Sequence, residues 1–325
     1  MIMKLFKKII ALSLSLMLLA AMCLSMASCE KKNYTVGIVQ LVDHPALDAA
    51  TEGFKQALID KLGEENVKFN YQNAANDSNA CATIVNDFVS KNVDLILANA
   101  TPALQAAANA TRTIPILGTS ITDFGVALEI DNFDGKVVGG NISGTADVAP
   151  LDEQAQMVID LFPNANKIGL LYCSGEANSV FQVNTVKKYL EEHGKECTVY
   201  TFSDTNDIVS VVTGAADKSD VIYIPTDNTA ASCAETINSV CLPKKVPVFA
   251  GEEGICKGCG AFTYSISYYG IGYQAGVMAA EILQGKADIS TMEVGYDKNP
   301  VKKYNASICE ALGLTIPEGY VAIEG

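Results

Sequence analysis

An acid and an amide stand side by side in "VIYIPTDNTAASCAETI", residues 221–237. The first residues prefer a strand, Pro225 ends the run, and Asp227-Asn228 sit where a segment of helical character begins. A carboxylate there can accept hydrogen bonds from an ammonium group, with the neighbouring amide fixing its orientation. It can equally cap the helix by accepting from backbone N–H groups, and neither role excludes the other. A counterpart occurs in "ILANATPALQ", where Asn99, Thr101 and Pro102 mark another strand end and helix start. The unpaired N–H groups and positive dipole end of that helix suit an anion such as a carboxylate. An anion site facing a cation site fits a free amino acid.

Further polar residues fall at comparable places. Gln40 and His44 follow the first strand; Ser120, Thr122 and Asp123 follow the fourth. Glu176, Asn178 and Ser179 stand in "CSGEANSVF", and Glu252 in "AGEEG". Each also reads as a cap or turn residue. The motifs that would mark catalysis are missing: there is no nucleophile elbow, no metal-binding helix motif and no phosphate-cradling glycine loop. Cys256-Lys-Gly-Cys259 fits a zinc half-site, a redox pair or a tight disulfide turn. No second ligand pair accompanies it, and the chain has only two histidines, so no metal or other cofactor is expected.

These residues need a scaffold, and the apolar patterning supplies one. "YTVGIVQLV", "VKFNYQNA", "VDLILANA" and "TIPILGTS" read as strands separated by helical segments, among them "ALDAATEGFKQALIDKLG". The series recurs from Lys167 with "KIGLLYCS", "ECTVYTFS", "DVIYIPT" and "KVPVFAGEE", and "NTAASCAETINSV" reads as one helix. Apolar strands alternating with helices imply α/β architecture: two similar lobes, each an open parallel sheet flanked by helices. Ligands of such sheets bind beyond the carboxyl ends of the strands, so two facing lobes form a cleft there.

Composition agrees. The chain has 325 residues, is 49% hydrophobic and carries a formal net charge of −14, which argues against nucleic acid as a partner. No helix-turn-helix precedes the first half. Lys4, Lys7 and Lys8 precede an apolar run that ends in small residues before Cys29, the form of a secretory signal. Ala27 and Ser28 before Cys29 resemble the lipobox of bacterial lipoproteins, although Met26 stands where that pattern prefers Leu. That resemblance implies a signal peptide over 1–28, lipid on Cys29 and an extracytoplasmic location at the cell membrane. A cleaved signal and a soluble secreted protein is the alternative. The eight cysteines beyond Cys29 are scattered without framework spacing, and several lie in apolar runs as small hydrophobes.

"HPALDAATEGF", "ILANATPALQ", "NISGTADVAP", "GEANSVFQV", "YIPTDNTAAS", "PVFAGEEG" and "NASICEALGLTIPEG" together resemble the ABC-transporter substrate-binding proteins of the tryptophan/tyrosine-transport type. That family has the type I periplasmic-binding-protein fold. The resemblance implies a receptor that closes over a small ligand, often an aromatic amino acid, and presents it to a permease driven by an ATPase. It places Asp227 and Asn228 at the α-amino group and the Thr101 turn at the carboxylate. A tether is expected over 29–33, one lobe over 34–123 and 264–296, and the other over 124–263 and 297–325. Crossings between lobes are expected near 123–128, 262–265 and 293–298. The helix from Tyr268 returns to the first lobe, its Gly/Ala content permitting close packing, with Tyr268 and Tyr269 near the cleft. The rivals are the same fold binding a sugar or nucleoside, and a ligand sensor for a membrane receptor.

Overall fold

Strands with no polar alternation are buried on both faces, and helices cover them. In the computed structural model, which describes residues 33–323, β1 (Tyr34–Gln40), β3 (Leu95–Asn99) and β4 (Ile116–Ile121) are buried along most or all of their length. With β2 (Val67–Asn73), β5 (Ile142–Ala146) and β11 (Gly295–Tyr296) they form one parallel sheet, ordered β11-β5-β4-β3-β1-β2. The helices α1 (Pro45–Leu62), α2 (Ser78–Ser90) and α3 (Thr101–Ala110) connect its strands, and α4 (Phe124–Leu128) follows β4. The signal region 1–28, Cys29 and most of the 29–33 tether lie outside the described residues.

The second sheet repeats the plan. Its strands are β6 (Lys167–Cys173), β7 (Glu196–Phe202), β8 (Val221–Ile224), β9 (Val248–Ala250), β10 (Phe262–Ser265), β12 (Val301–Tyr304) and β13 (Val321–Ala322). The order is β13-β12-β10-β9-β8-β6-β7, parallel throughout except where β12 meets β10. Its helices are α5 (Leu151–Leu161), α6 (Ala177–Glu192), α7 (Ile208–Ala216), α8 (Asn228–Ser232), α9 (Ala234–Cys241), α10 (Glu253–Gly258) and α12 (Ala306–Leu312). In each sheet the first strand lies between the second and third. The connections that follow β1 and β3 therefore run in opposite directions, as do those that follow β6 and β8, and a crevice opens at the carboxyl ends of each such pair.

Between β10 and β11 the chain forms α11 (Tyr268–Leu283), which packs on α1 of the first lobe. The approach is close because glycine lines it. A Cβ at Gly272 would collide with the Ala50 carbonyl, and one at Gly53 with the Tyr269 carbonyl. Tyr269 itself is exposed and stacks on Tyr273.

Three expectations are corrected. β5 belongs to the first sheet, so the first lobe runs on past 123, and the first crossing follows Ala146 instead of lying at 123–128. There the chain forms α4, and Phe124 is buried in the first-lobe core. The other crossings fall at 266–267, just after β10, and at 297–300, between β11 and β12. The helix "NTAASCAETINSV" is two helices broken at Cys233. At the break the Cys233 N–H donates to Ala230 one residue early, at 3.1 Å, and the Ser232 hydroxyl bonds the Thr229 carbonyl at 2.8 Å. All eight described cysteines are free, and among the described residues no three His, Cys, Asp or Glu side chains gather as metal ligands.

Candidate functional site

The carboxyl ends of the two sheets face each other, and cross-lobe hydrogen bonds join them. His44 Nε2 lies 3.3 Å from Asn228 Oδ1, and the Asn76 amide donates to the Thr229 hydroxyl at 3.0 Å. The Thr122 hydroxyl lies 3.4 Å from that of Thr226. Behind these contacts both lobes line a small space of about 10 Å3, room for about one water molecule, so any larger occupant requires the lobes to part.

Two carboxylates organise the second-lobe wall. Asp227 Oδ1 accepts from the Ala230 N–H at 2.7 Å and so caps α8. Its Oδ2 accepts from the Cys173 N–H and the Ser179 hydroxyl, each at 2.7 Å. Glu176 takes the first two N–H groups of the helix, Asn228 at 3.0 Å and Thr229 at 2.8 Å. The helix start is thus satisfied from within the protein, and Asp227 is a cap that also lines the cavity. Burial, and after it the neighbouring Glu176, pushes the Asp227 carboxyl upward. Glu252 plays a similar part: it caps α10 through the N–H groups of Gly254 and Ile255, and burial pushes its carboxyl to about 7.

The first-lobe wall adds a fourth acid, Asp147, which follows β5. It accepts from the Thr122 and Tyr268 hydroxyls at 3.0 Å each, and burial raises its carboxyl to about 6. Strain marks the same edge. β4 carries an irregularity between Gly118 and Ile121, and Ser120 within it has φ +57°, a left-handed conformation rare for residues with a side chain.

The polar atoms left over show what the cavity lacks. Asn228 Nδ2 donates to Glu176 at 2.7 Å, so its Oδ1 accepts and His44 Nε2 is the donor. Burial lowers the His44 pKa and keeps the ring neutral, so its Nδ1 is an unpaired acceptor. Asn178 donates its amide to the Thr226 carbonyl at 2.9 Å, and its Oδ1 has no partner. The Ser120 hydroxyl is also unpaired. All three residues line the cavity, together with Asp147, Asp227 and Glu252, and among the described residues no Lys or Arg does. A wall of acceptors and buried carboxylates without a basic side chain calls for an occupant with positive charge and N–H donors.

The other expected residues are placed as follows. Gln40 and Asn99 lie behind the wall and bond each other's neighbour, Thr51, at 2.6 and 2.9 Å; their side chains turn into the first lobe. Thr122 and Ser179 support Asp147 and Asp227 from outside the lining. Thr101 is buried at the start of α3 and is not in the lining, although Ala100 just before it bonds Thr119, the neighbour of Ser120. Pro102 faces a groove between α2 and α3, and Asp123 caps α4 by accepting from Val126 at 2.9 Å; neither reaches the cavity. Asp147 was missed as a site residue. Its signal was the acid that closes "NISGTAD", legible only once that segment is taken as a strand.

Comparison with known proteins agrees with this geometry. A family model described as ABC transporter substrate binding protein matches residues 35–323. A tyrosine-binding protein of Clostridioides difficile is 38% identical over 79% of this chain and 75% of its own length. The structure of an ABC domain from Streptococcus pneumonia in complex with L-Trp is 32% identical and superposes with a TM-score of 0.85, covering 90% of this chain and 100% of that one. A ligand-free, open substrate-binding protein of Clostridium difficile is 34% identical over 90% of this chain and 99% of its own, yet reaches only 0.68. At similar identity and coverage, the present lobe arrangement is thus nearer the L-Trp complex than the open form. The family match over nearly all the described residues, on a two-lobed fold with a cavity between the lobes, makes this chain a member of the ABC transporter substrate-binding protein family.

Proposed function

We propose that this substrate-binding protein captures a free amino acid with an aromatic side chain, without a catalytic step, and delivers it to an ABC permease and its ATPase. Lipid on Cys29 would hold it outside the cytoplasmic membrane. The observation that carries the reading is the acceptor-lined cavity. His44 Nδ1, Asn178 Oδ1 and the carboxylates of Asp147, Asp227 and Glu252 surround a space with no basic side chain. An α-ammonium supplies the missing charge and donors. The ligand carboxylate belongs at Ser120, the lining donor beside the first turn of α3, whose dipole favours an anion. Leu47, Ala231 and the Tyr268 ring offer apolar wall to a side chain. Relatives described as binding tyrosine or L-Trp favour the aromatic class.

The test is a thermal-shift screen of the chain from Cys29 against the amino acids, nucleosides and common sugars, followed by calorimetric titration. A ligand at 100 times its Kd adds about 2.7 kcal/mol of stability. The expected responders are tyrosine, tryptophan or phenylalanine. A response confined to sugars or nucleosides overturns the amino-acid reading while leaving the fold intact.

A further inference from the structure

A second hollow, of about 510 Å3, lies outside the cleft beside the second crossing between lobes. The start of α1 borders it on one side, and α10, β12 and β13 border it on the other; it shares only Glu252 and Tyr268 with the ligand cavity. Tyr269, Val301 and Val321 line it and are exposed. Apolar side chains gathered in one concavity mark a binding surface, where scattered single ones do not. The strand at its rim is open. β13 is the outermost strand of the second sheet and pairs on one side only, with β12. Side chains alternate between the faces of a strand, yet Val321, Ala322 and Ile323 all line the groove, so the backbone edge itself borders it. The Ile323 N–H donates to the Tyr304 carbonyl at 2.9 Å, which turns the N–H and carbonyl of Ala322 away from β12 and outward. The charges beside this edge are unequal. Glu252 accepts from its own helix and Glu253 pairs with Lys303, whereas Lys257 is exposed and has no ion-pair partner among the described residues. An uncompensated cation stands out on a chain of formal net charge −14.

We propose that this groove takes an extended, acidic peptide segment of a partner protein as a strand added beside β13. The outward N–H and carbonyl of Ala322 supply main-chain bonds, Val301, Val321 and Tyr269 receive apolar side chains, and Lys257 meets a carboxylate. So short an edge offers few main-chain bonds, which blunts it against indiscriminate pairing and leaves specificity to the side chains. Binding there does not use the cleft and does not rest on the amino-acid reading.

The experiment titrates the wild-type chain from Cys29, A322P and K257E into a fluorescein-labelled, end-blocked hexapeptide of alternating valine and glutamate, followed by anisotropy. Two further peptides serve as controls: one with lysine in place of glutamate, and one N-methylated at alternate amides, which keeps the side chains and loses main-chain donors. Wild type should prefer the glutamate peptide to either control by about tenfold or more. A322P removes an outward N–H and no bond to β12, and should weaken the glutamate peptide by about tenfold. K257E should reverse the preference between glutamate and lysine peptides. Melting followed by circular dichroism checks that each variant is folded, and K257E decides the matter if A322P is not. Absence of binding by wild type at millimolar peptide overturns the proposal. So does equal binding of the N-methylated peptide, or an unchanged preference in K257E. A wild type that sediments as a dimer and becomes monomeric as A322P also overturns it, because a second copy would then cover the edge.

Discussion

Replacing Asp147 by Asn should make the empty protein more stable at pH 8 and less stable at pH 4. Burial holds the folded carboxyl at about 6 against an ordinary value of 3.8. Between those values the folded state keeps a proton that the unfolded state has lost, so stability falls as pH rises. The shift is about two units, and at about 1.4 kcal/mol per unit the ionised carboxylate costs about 3 kcal/mol above pH 6. Below the unfolded value both states are protonated and the cost disappears. Asn keeps an oxygen for one of the two hydroxyl donors, Thr122 or Tyr268, and loses about 1 kcal/mol for the other. The net expectation is a variant about 2 kcal/mol more stable at pH 8 and about 0.5 kcal/mol less stable at pH 4, where the unfolded carboxyl is still partly ionised. Urea unfolding of both proteins at the two pH values reads this directly. The excess of acidic residues also weakens the protein as pH rises, but it is shared by both chains and cancels in the difference. A variant destabilised by the same margin at both pH values would refute the reasoning, because Asp147 would then act through its bonds alone.

Asp227→Ala removes the α8 cap and strands the Cys173 N–H and the Ser179 hydroxyl; it should cost about 1–3 kcal/mol in urea unfolding, with Asp227→Asn losing less. Any loss of ligand in Asp227→Ala must therefore be read at a temperature where the variant is still folded. Gly272→Leu forces a side chain against the Ala50 carbonyl where α11 meets α1, and should cost about 3 kcal/mol, seen as a lowered melting temperature. Alkylation followed by mass spectrometry should label Cys197 and Cys233, which are half-buried, in the native protein. Cys81, Cys173, Cys241, Cys256, Cys259 and Cys309 are buried, with thiols pushed upward chiefly by burial, and should react only after unfolding.

The two-lobed plan was legible because buried parallel strands leave unbroken apolar runs, and "VDLILANA" and "DVIYIPT" carry that signal without ambiguity. β5 left none. Ser143 and Thr145 are polar, and Gly144, at φ +149° and pressed against the backbone of Gly118, reads in sequence as a loop residue. With β5 unseen, the first crossing was set too early and Asp147 had no strand end to occupy. At the strand ends that were seen, sequence gives the position of a side chain but not its direction. Gln40, Asn99 and His44 all follow the switch point of the first sheet. Thr51 and Asp48 draw Gln40 inward, Thr51 and the Leu47 carbonyl draw Asn99 inward, and only His44 reaches across. Such choices depend on partners brought from elsewhere in the chain.

The same acids explain why an empty receptor should stay open. In the closed arrangement Asp147 and Glu252 are held at about 6 and about 7, against ordinary values of 3.8 and 4.5. At pH 7 each costs about 3 kcal/mol relative to a hydrated carboxylate, on the order of 6 kcal/mol together. Moving a two-state equilibrium from 99:1 to 1:99 takes about 5.5 kcal/mol. If opening hydrates both carboxyls, that cost is large enough to hold unliganded lobes apart against cross-lobe bonds such as His44 to Asn228. A cationic ligand cancels that cost only in the closed form, where it meets carboxylates from both lobes. Its differential affinity for the two states, which alone can shift them, therefore resides in its charge. A neutral ligand of the same shape could fill the cavity and still fail to close it. A permease that recognises the closed form would then be reading the charge of the cargo.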